Sequence, residues 1–431
     1  MSNNIALFKN KEIIKSNIKK HIQKKLNRKS IYIIYTRFND NIFNIIKFIK
    51  HFSPDIKKLE SEQSDIFIKS IKELNELLEK KSPIKTDIFK KIIDNKPIYY
   101  SSILYNGQLL LAFSIYDAFI GELLDYIYSK DINFISLDNK TFSAREIIDF
   151  KEKNQLKNFI IDSDIDKFKR ESYIEQFRIL EKRFDFKTLT SFDNWGKFVE
   201  MSQRRNLITH CDGRVSMQYI KICSQYSCLD ENLKIGDKLI VDEDYIINSL
   251  YTILEVGIKL LFTLNIKLFN KTEDEFNKIM DDLNDYIFNL LSAKEFKFAE
   301  NIAHFAYNSI SKKNTTIKYI ILINYCIALK ANGKQNDVNK LLSSIDWYAL
   351  NPDYSIAAFI LLNQNDKALD ILEKTALISN SFNDISTFKW PIFNFINSDE
   401  RFKNIFMKLY NISYDDYIAN DILEQSKENI W

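Results

Sequence analysis

Arginine and histidine together supply what metal-free RNA cleavage requires: a permanent cation for the phosphate and a group that exchanges protons near neutral pH. This chain places Arg205 five residues before His210, within Gln203-Arg204-Arg205-Asn206-Leu207-Ile208-Thr209-His210-Cys211-Asp212-Gly213, and His210 is one of only four histidines. Positions five apart on a helix lie about 140° around its axis, so the two side chains flank one edge. Either Arg205 curls towards His210 in the next turn, or each faces a second copy of the segment. Asn206, four residues before His210, is placed to orient the imidazole or a phosphate oxygen. His210 stands at the negative end of its helix, where a cation is favoured.

Three apolar helices must position these groups. Trp195 to His210 reads as a core helix through Phe198, Met201, Leu207 and Ile208, and Gly213 closes it because glycine takes the left-handed conformation without penalty. In this reading Trp195 starts the helix, and Cys211 is a small buried thiol. Gly107 to Ser129 is a longer helix in which Leu109, Ala112, Phe113, Tyr116, Phe119 and Ile120 recur at three- and four-residue steps, so much of its circumference is buried. It carries Asp117, Glu122 and Asp125. Asp117 either orients Arg205 or His210, or neutralises Arg204 or Arg205 inside the bundle. Leu233 to Val241 is a hairpin candidate, two short alternating runs around Gly236-Asp237, and Tyr245 to Phe269 is the third core helix.

The flanks describe a scaffold. Residues 1–97 form a helical N-terminal extension, with Ile42, Ile45, Ile46 and Ile49 as one apolar stripe and Ile68, Ile71, Leu74, Leu77 and Leu78 as another; Ser82-Pro83 and Lys96-Pro97 are breaks. Its first part holds Lys9, Lys11, Lys15, Lys19, Lys20, Lys24, Lys25, Arg28 and Lys29 against the single acid Glu12, either a solvated helix face or an RNA-binding or partner-binding arm. Residues 98–270 hold the Arg–His segment. Residues 271–431 read as stacked helical hairpins: Val338, Leu341 and Leu342 are answered thirty positions later by Ala368, Ile371 and Leu372, each set after a polar turn.

Composition bounds the rest. A chain of 431 residues exceeds one ordinary core, and 45% hydrophobic residues exclude global disorder. Seven glycines and five prolines favour long helices, giving an all-α class. Basic and acidic residues, 61 and 58, nearly cancel to a net +3, so RNA contact must come from a local cluster. The four cysteines match no zinc or disulfide pattern, and no metal or cofactor is expected. The start of the chain has no signal-peptide pattern. Residues 246–269 are interrupted by Asn248, Glu255, Lys259, Asn265 and Lys267, as in a buried helix. These features predict a soluble cytoplasmic protein without a membrane partner. His304, between Ala303 and Phe305, reads as a packing residue.

Over residues 98–270 the chain resembles the HEPN superfamily. Ser114-x-x-Asp117 with Phe119-x-Gly121-Glu122-Leu123-Leu124 resembles the first core helix of one branch, and Arg204-Arg205-Asn206-Leu207-Ile208-Thr209-His210 with Asp212-Gly213 resembles its signature helix. Gly236-x-x-Leu239 leading to Tyr245 resembles its hairpin and final helix. That branch more often has glutamate at the position of Asp117 and asparagine at that of Cys211. The C-terminal hairpins resemble tetratricopeptide repeats, and Trp390-Pro391-Ile392-Phe393 through Phe402 resembles the segment that caps such arrays. The resemblance implies a HEPN-like bundle with a small β-hairpin. It also implies a metal-independent endoribonuclease whose Arg205, Asn206 and His210 are catalytic, with Asp117 and Arg204 in support. RNA would be the substrate, cut by 2′-hydroxyl attack to a 2′,3′-cyclic phosphate and a 5′-hydroxyl. Two copies would dimerise so that two motifs line one cleft, a regulator or other protein would bind the repeats, and a toxin or anti-phage role would follow. The competing expectations are a non-catalytic interaction scaffold and an RNA-binding regulator that does not cleave.

Overall fold

The computed structural model describes residues 31–81, 86–135, 153–269, 272–310, 315–378 and 384–420. The basic cluster Lys9–Lys29, His21 and the Ser82-Pro83 break lie outside the described residues. Among the described residues the secondary structure is helical, with one isolated antiparallel bridge and no strand. The chain divides into two compact units, Met1–Leu261 and Phe262–Trp431.

The first unit begins with a helix of 49 residues, α1 (Ile31–Glu79), which runs through Pro54. Both apolar stripes seen in the sequence belong to it. Ile42, Ile45, Ile46 and Ile49 are buried, whereas Ile68 and Leu78 are exposed and Ile71, Leu74 and Leu77 only half-buried. The expected extension therefore shares a unit with the segment that follows. After α2 (Thr86–Asp94) the chain breaks at Pro97, and α3 (Tyr100–Lys130) packs along α1, with Phe38 stacked on Phe119 at 4.2 Å. Helix α3 is long and apolar enough to cross a membrane, yet Leu109, Phe113, Tyr116, Ile120, Leu123 and Leu124 are all buried within the unit.

Helices α4 (Lys153–Arg170) and α5 (Tyr173–Phe184) complete the wall around α3. Ser172 starts α5 by accepting the Glu175 amide on its hydroxyl. Asp164 on α4 pairs with Arg183 of α5 at 2.8 Å and accepts the Tyr128 hydroxyl of α3 at 3.1 Å, so the buried carboxylate ties three helices together. Helix α6 (Trp195–His210) follows, then α7 (Met217–Gln225) and α8 (Glu243–Phe269), in which the division between units falls. Gly257 lets α8 approach α1 closely: a Cβ there would stand 2.4 Å from the Phe38 ring.

The hairpin expected over Leu233–Val241 is corrected. A turn does form, with Gly236 at φ +90° and the Asp237 carboxylate accepting the Lys234 amide at 2.7 Å. Beyond the turn-closing bond from Asp237 N to Lys234 O at 3.1 Å, its two arms form no ladder. The second arm pairs instead with the segment leaving α6: Val215 N donates to Asp237 O and Leu239 N to Gly213 O, each at 2.9 Å. The apolar alternation explains the choice, because Leu239 is buried with Leu207, Val215, Tyr219 and Cys223, against the end of α6 and the face of α7.

The second unit is a succession of antiparallel helical pairs: α9 (Glu273–Ser292) with α10 (Phe296–Ser309), α11 (Thr315–Ala331) with α12 (Gln335–Leu342), and α13 (Pro352–Leu361) with α14 (Asn365–Ile378). One turn recurs at each pairing. Lys294, Gly333 and Asn363 take positive φ, and the next amide donates five residues back, Glu295 to Leu290, Lys334 to Leu329 and Gln364 to Phe359, at 2.9, 2.9 and 2.8 Å. Val338 and Leu342 are fully buried, as are Ala368 and Leu372. A cluster of Phe388, Phe393, Phe402, Phe406 and Tyr414 closes the unit around α15 (Glu400–Tyr410).

Candidate functional site

Helix α6 carries four of the five residues singled out, and α3 carries the fifth. The start of α6 is anchored by Trp195, buried against Phe177 and Phe198, and by Asn194, whose amide donates to Glu255 of α8 at 2.8 Å. Its end is made by backbone: Asp212 and Gly213 both take positive φ, and Gly213 N donates to Leu207 O at 2.9 Å. Lys238 reaches the Asp212 carboxylate at 2.7 Å and the Asp212 carbonyl as well. Asp212 is exposed, and hydrogen bonding from Lys238 holds its carboxyl below the usual range.

The two adjacent arginines have separate surroundings. Arg204 Nε donates to Glu200 at 2.8 Å, Arg204 Nη1 to the Ile240 carbonyl at 2.9 Å, and the guanidinium lies 4.0 Å over the Tyr245 ring. Glu200 also accepts the hydroxyls of Tyr219 at 2.7 Å and Tyr245 at 2.6 Å. Burial, and then the neighbouring carboxylate, push both phenols up, so they stay protonated as donors. Arg204 is thus consumed in joining α6 to α7 and α8.

Arg205 faces α3 and α5 instead. Its Nη1 donates to Asn206 Oδ1 at 3.2 Å, while its Nε is buried without a hydrogen-bond partner. Asn206 therefore meets Arg205, and its amide oxygen is not used on His210. Asp117 is mostly buried, and that burial raises its carboxyl above the usual range; the Tyr173 hydroxyl, then the Arg205 and Lys169 cations, pull the other way. The cations that act on Asp117 are Arg205 and Lys169, and Arg205 belongs to both of the roles open to it. Tyr173, pushed up by burial and by Asp117, stays a neutral donor.

His210 is exposed at the last turn of α6, without a hydrogen bond or ion pair among the described residues. Cys211 is exposed rather than buried, because the helix ends before the thiol can turn inwards. His304 is likewise exposed, bonded to Asn308 at 3.0 Å and tilted against Tyr325. Sequence reasoning missed Tyr173, Lys169 and Glu200. Ser172 as a helix cap fixes where Tyr173 begins α5, and Glu200 stands one turn before Arg204; neither signal says which partners arrive from other helices.

The arrangement can bind and react with an anion that carries a nucleophile. It offers the half-buried guanidinium of Arg205, a carboxylate–phenol pair beside it, and a solvent-facing imidazole at the end of the same helix. Among the described residues, no group of three or more His, Cys, Asp or Glu side chains could hold a metal ion. No family model matches this chain, and no curated protein or solved structure matches it.

Proposed function

We propose that the chain is a metal-independent endoribonuclease of HEPN type. The supporting observation is that α6 presents His210 to solvent while the half-buried Arg205 sets its charge against Asp117 and Tyr173. His210 takes the proton from a ribose 2′-hydroxyl, and the 2′-oxygen attacks the adjacent phosphorus. Arg205, oriented by Asn206 and Asp117, holds the non-bridging oxygens on which charge builds. The P–O5′ bond breaks, a proton returns to the leaving oxygen, and the products are a 2′,3′-cyclic phosphate and a 5′-hydroxyl. Because Arg205 and His210 diverge around the helix, the working site takes one group from each of two copies. Arg204 serves the fold of α6, and a toxin or defence role rests on the HEPN resemblance alone.

Incubation of the purified chain with mixed RNA in EDTA tests this reading. Cyclic-phosphate ends, lost in His210→Ala and in Arg205→Ala while both variants keep their helical circular dichroism, are the expected result. Intact RNA under all conditions removes the nuclease reading. The second reading is an interaction scaffold, favoured by the repeated helical pairs of the second unit and their shared turn. Retention of RNA without cleavage would instead select a regulator.

A further inference from the structure

Helix α7 ends in a turn that brings two cysteines together. Ser227 takes φ +54°, and Cys228 N donates back to Cys223 O at 2.9 Å, closing six residues. In such helix endings an apolar contact commonly joins the residues at the two ends of the back-bond. Here both of those residues are cysteine. Cys223 is fully buried among Leu207, Val215, Tyr219 and Leu239, and Cys228 packs against that cluster from a half-buried position. Cys228 Sγ lies 3.5 Å from Cys223 O. The closeness of the two thiols draws Cys228 down and, together with burial, pushes Cys223 up. The reachable sulfur is therefore the more easily ionised one, as a nucleophile requires. Cys326 differs: it is buried and pushed up to about 12 by that burial.

We propose that Cys223 and Cys228 form a reversible modification site, at which a peroxide closes an intrachain disulfide across the end of α7. The Cys228 thiolate attacks one oxygen of hydrogen peroxide; an S–O bond forms, the O–O bond breaks, and the departing hydroxide leaves as water after protonation. Cys223 sulfur then attacks Cys228 sulfur. The S–S bond forms, the S–O bond breaks, and the Cys223 proton leaves with the hydroxide as a second water. Two thiols have been oxidised and one peroxide reduced to two waters. The amide-to-carbonyl bond between the same residues holds their backbones at the close range a disulfide demands.

The turn lies against the candidate nuclease helix. A Cβ on Gly196, in the first turn of α6, would meet Tyr226 O at 3.2 Å and Cys228 Cβ at 3.4 Å. Tyr219, on the same helix as Cys223, holds Glu200 of α6. Closing the disulfide thus acts on the support of α6 whether or not that helix cleaves RNA, and the proposal does not depend on the nuclease reading.

The test uses the full-length reduced chain, treated with hydrogen peroxide, denatured, alkylated with N-ethylmaleimide and digested with trypsin. Both cysteines fall in the single peptide Ile222–Lys234. The expected result is a peptide lighter by two hydrogens that carries no label, in a chain still monomeric on a non-reducing gel, with both labels restored after dithiothreitol. Cys211→Ser leaves this result unchanged, and Cys223→Ser lets dimedone trap a sulfenic acid on Cys228. Peroxide that leaves both residues labelled overturns the proposal, as does a Cys228 disulfide to a second chain. If Cys223→Ser does not fold, Cys228→Ser replaces it; there Cys223 must stay fully labelled after peroxide, and its oxidation would also overturn the assignment.

Discussion

The guanidinium of Arg204 lies 4.0 Å over the ring of Tyr245, whose hydroxyl is bound by the carboxylate that also binds Arg204. Two side chains and Glu200 thus form a closed triangle largely shielded from solvent, and the next residue in sequence, Arg205, stands outside it. Arg204→Ala strands the Glu200 charge and is expected to cost about 3 kcal/mol of unfolding free energy. Arg205→Ala is expected to cost about 1 kcal/mol or less while removing RNA cleavage. Urea unfolding of both variants checks the contrast, and equal losses would contradict this division of labour.

Asp117 makes stability depend on pH in a predictable direction. Burial raises its native pKa above the unfolded value near 3.9, so its contribution is fully present below that value and is lost as pH rises through the native one. Asp117→Asn removes this dependence. The unfolding midpoint of the parent minus that of the variant should therefore fall as pH increases across the acidic range. A difference that is constant with pH, or that grows, contradicts the assignment.

Gly257→Ala is expected to destabilise the first unit by about 1–3 kcal/mol, the usual cost of overpacking a tight core. The added methyl would meet the ring of Phe38, which is itself stacked on Phe119 and has little room to move. Phe38→Leu in the same chain should recover part of the loss. Thermal unfolding of the single and double variants measures both effects.

Lys330 supplies a cap that glycine often supplies elsewhere. Its ammonium donates to the Ile360 and Leu361 carbonyls at 3.2 and 3.0 Å and to the Asn363 side chain at 2.6 Å, at the C-terminal end of α13. Lys330→Met keeps the stem and removes the charge, and about 1–2 kcal/mol should be lost from the second unit. Amide hydrogen exchange would show the loss as faster exchange around Asn363.

Much of this architecture was legible in the residue pattern because it is local. The limits of α6, its closure at Gly213, the long apolar α3 and the paired faces of Val338–Leu342 and Ala368–Leu372 all follow from spacing within one or two turns. Contacts that cross between helices were not legible. Nothing near Arg204 announces that Tyr219 and Tyr245 converge on Glu200, and nothing near Asp117 announces Tyr173. The hairpin was misread for the same reason: the alternation of Leu239 and Val241 marks a one-sided segment without saying which neighbour supplies the other side. Helical spacing places Asn206 to orient the His210 imidazole or a phosphate oxygen, but does not announce the bond it accepts from the adjacent Arg205.

The fastening of Ser53 to Glu243, at 2.5 Å with Lys57 and Tyr105 beside it, bears on when this chain can mature during synthesis. A helix emerging early from the ribosome waits for a residue made much later before its polar partner exists. The second unit joins neighbours in order and can assemble as it is made, whereas the first closes only after long-range encounters, which are the slow ones. During that wait Phe38 of α1 lacks the cover that α8 brings at Gly257, and chaperone capture of nascent chains ending before residue 243 is the expected consequence.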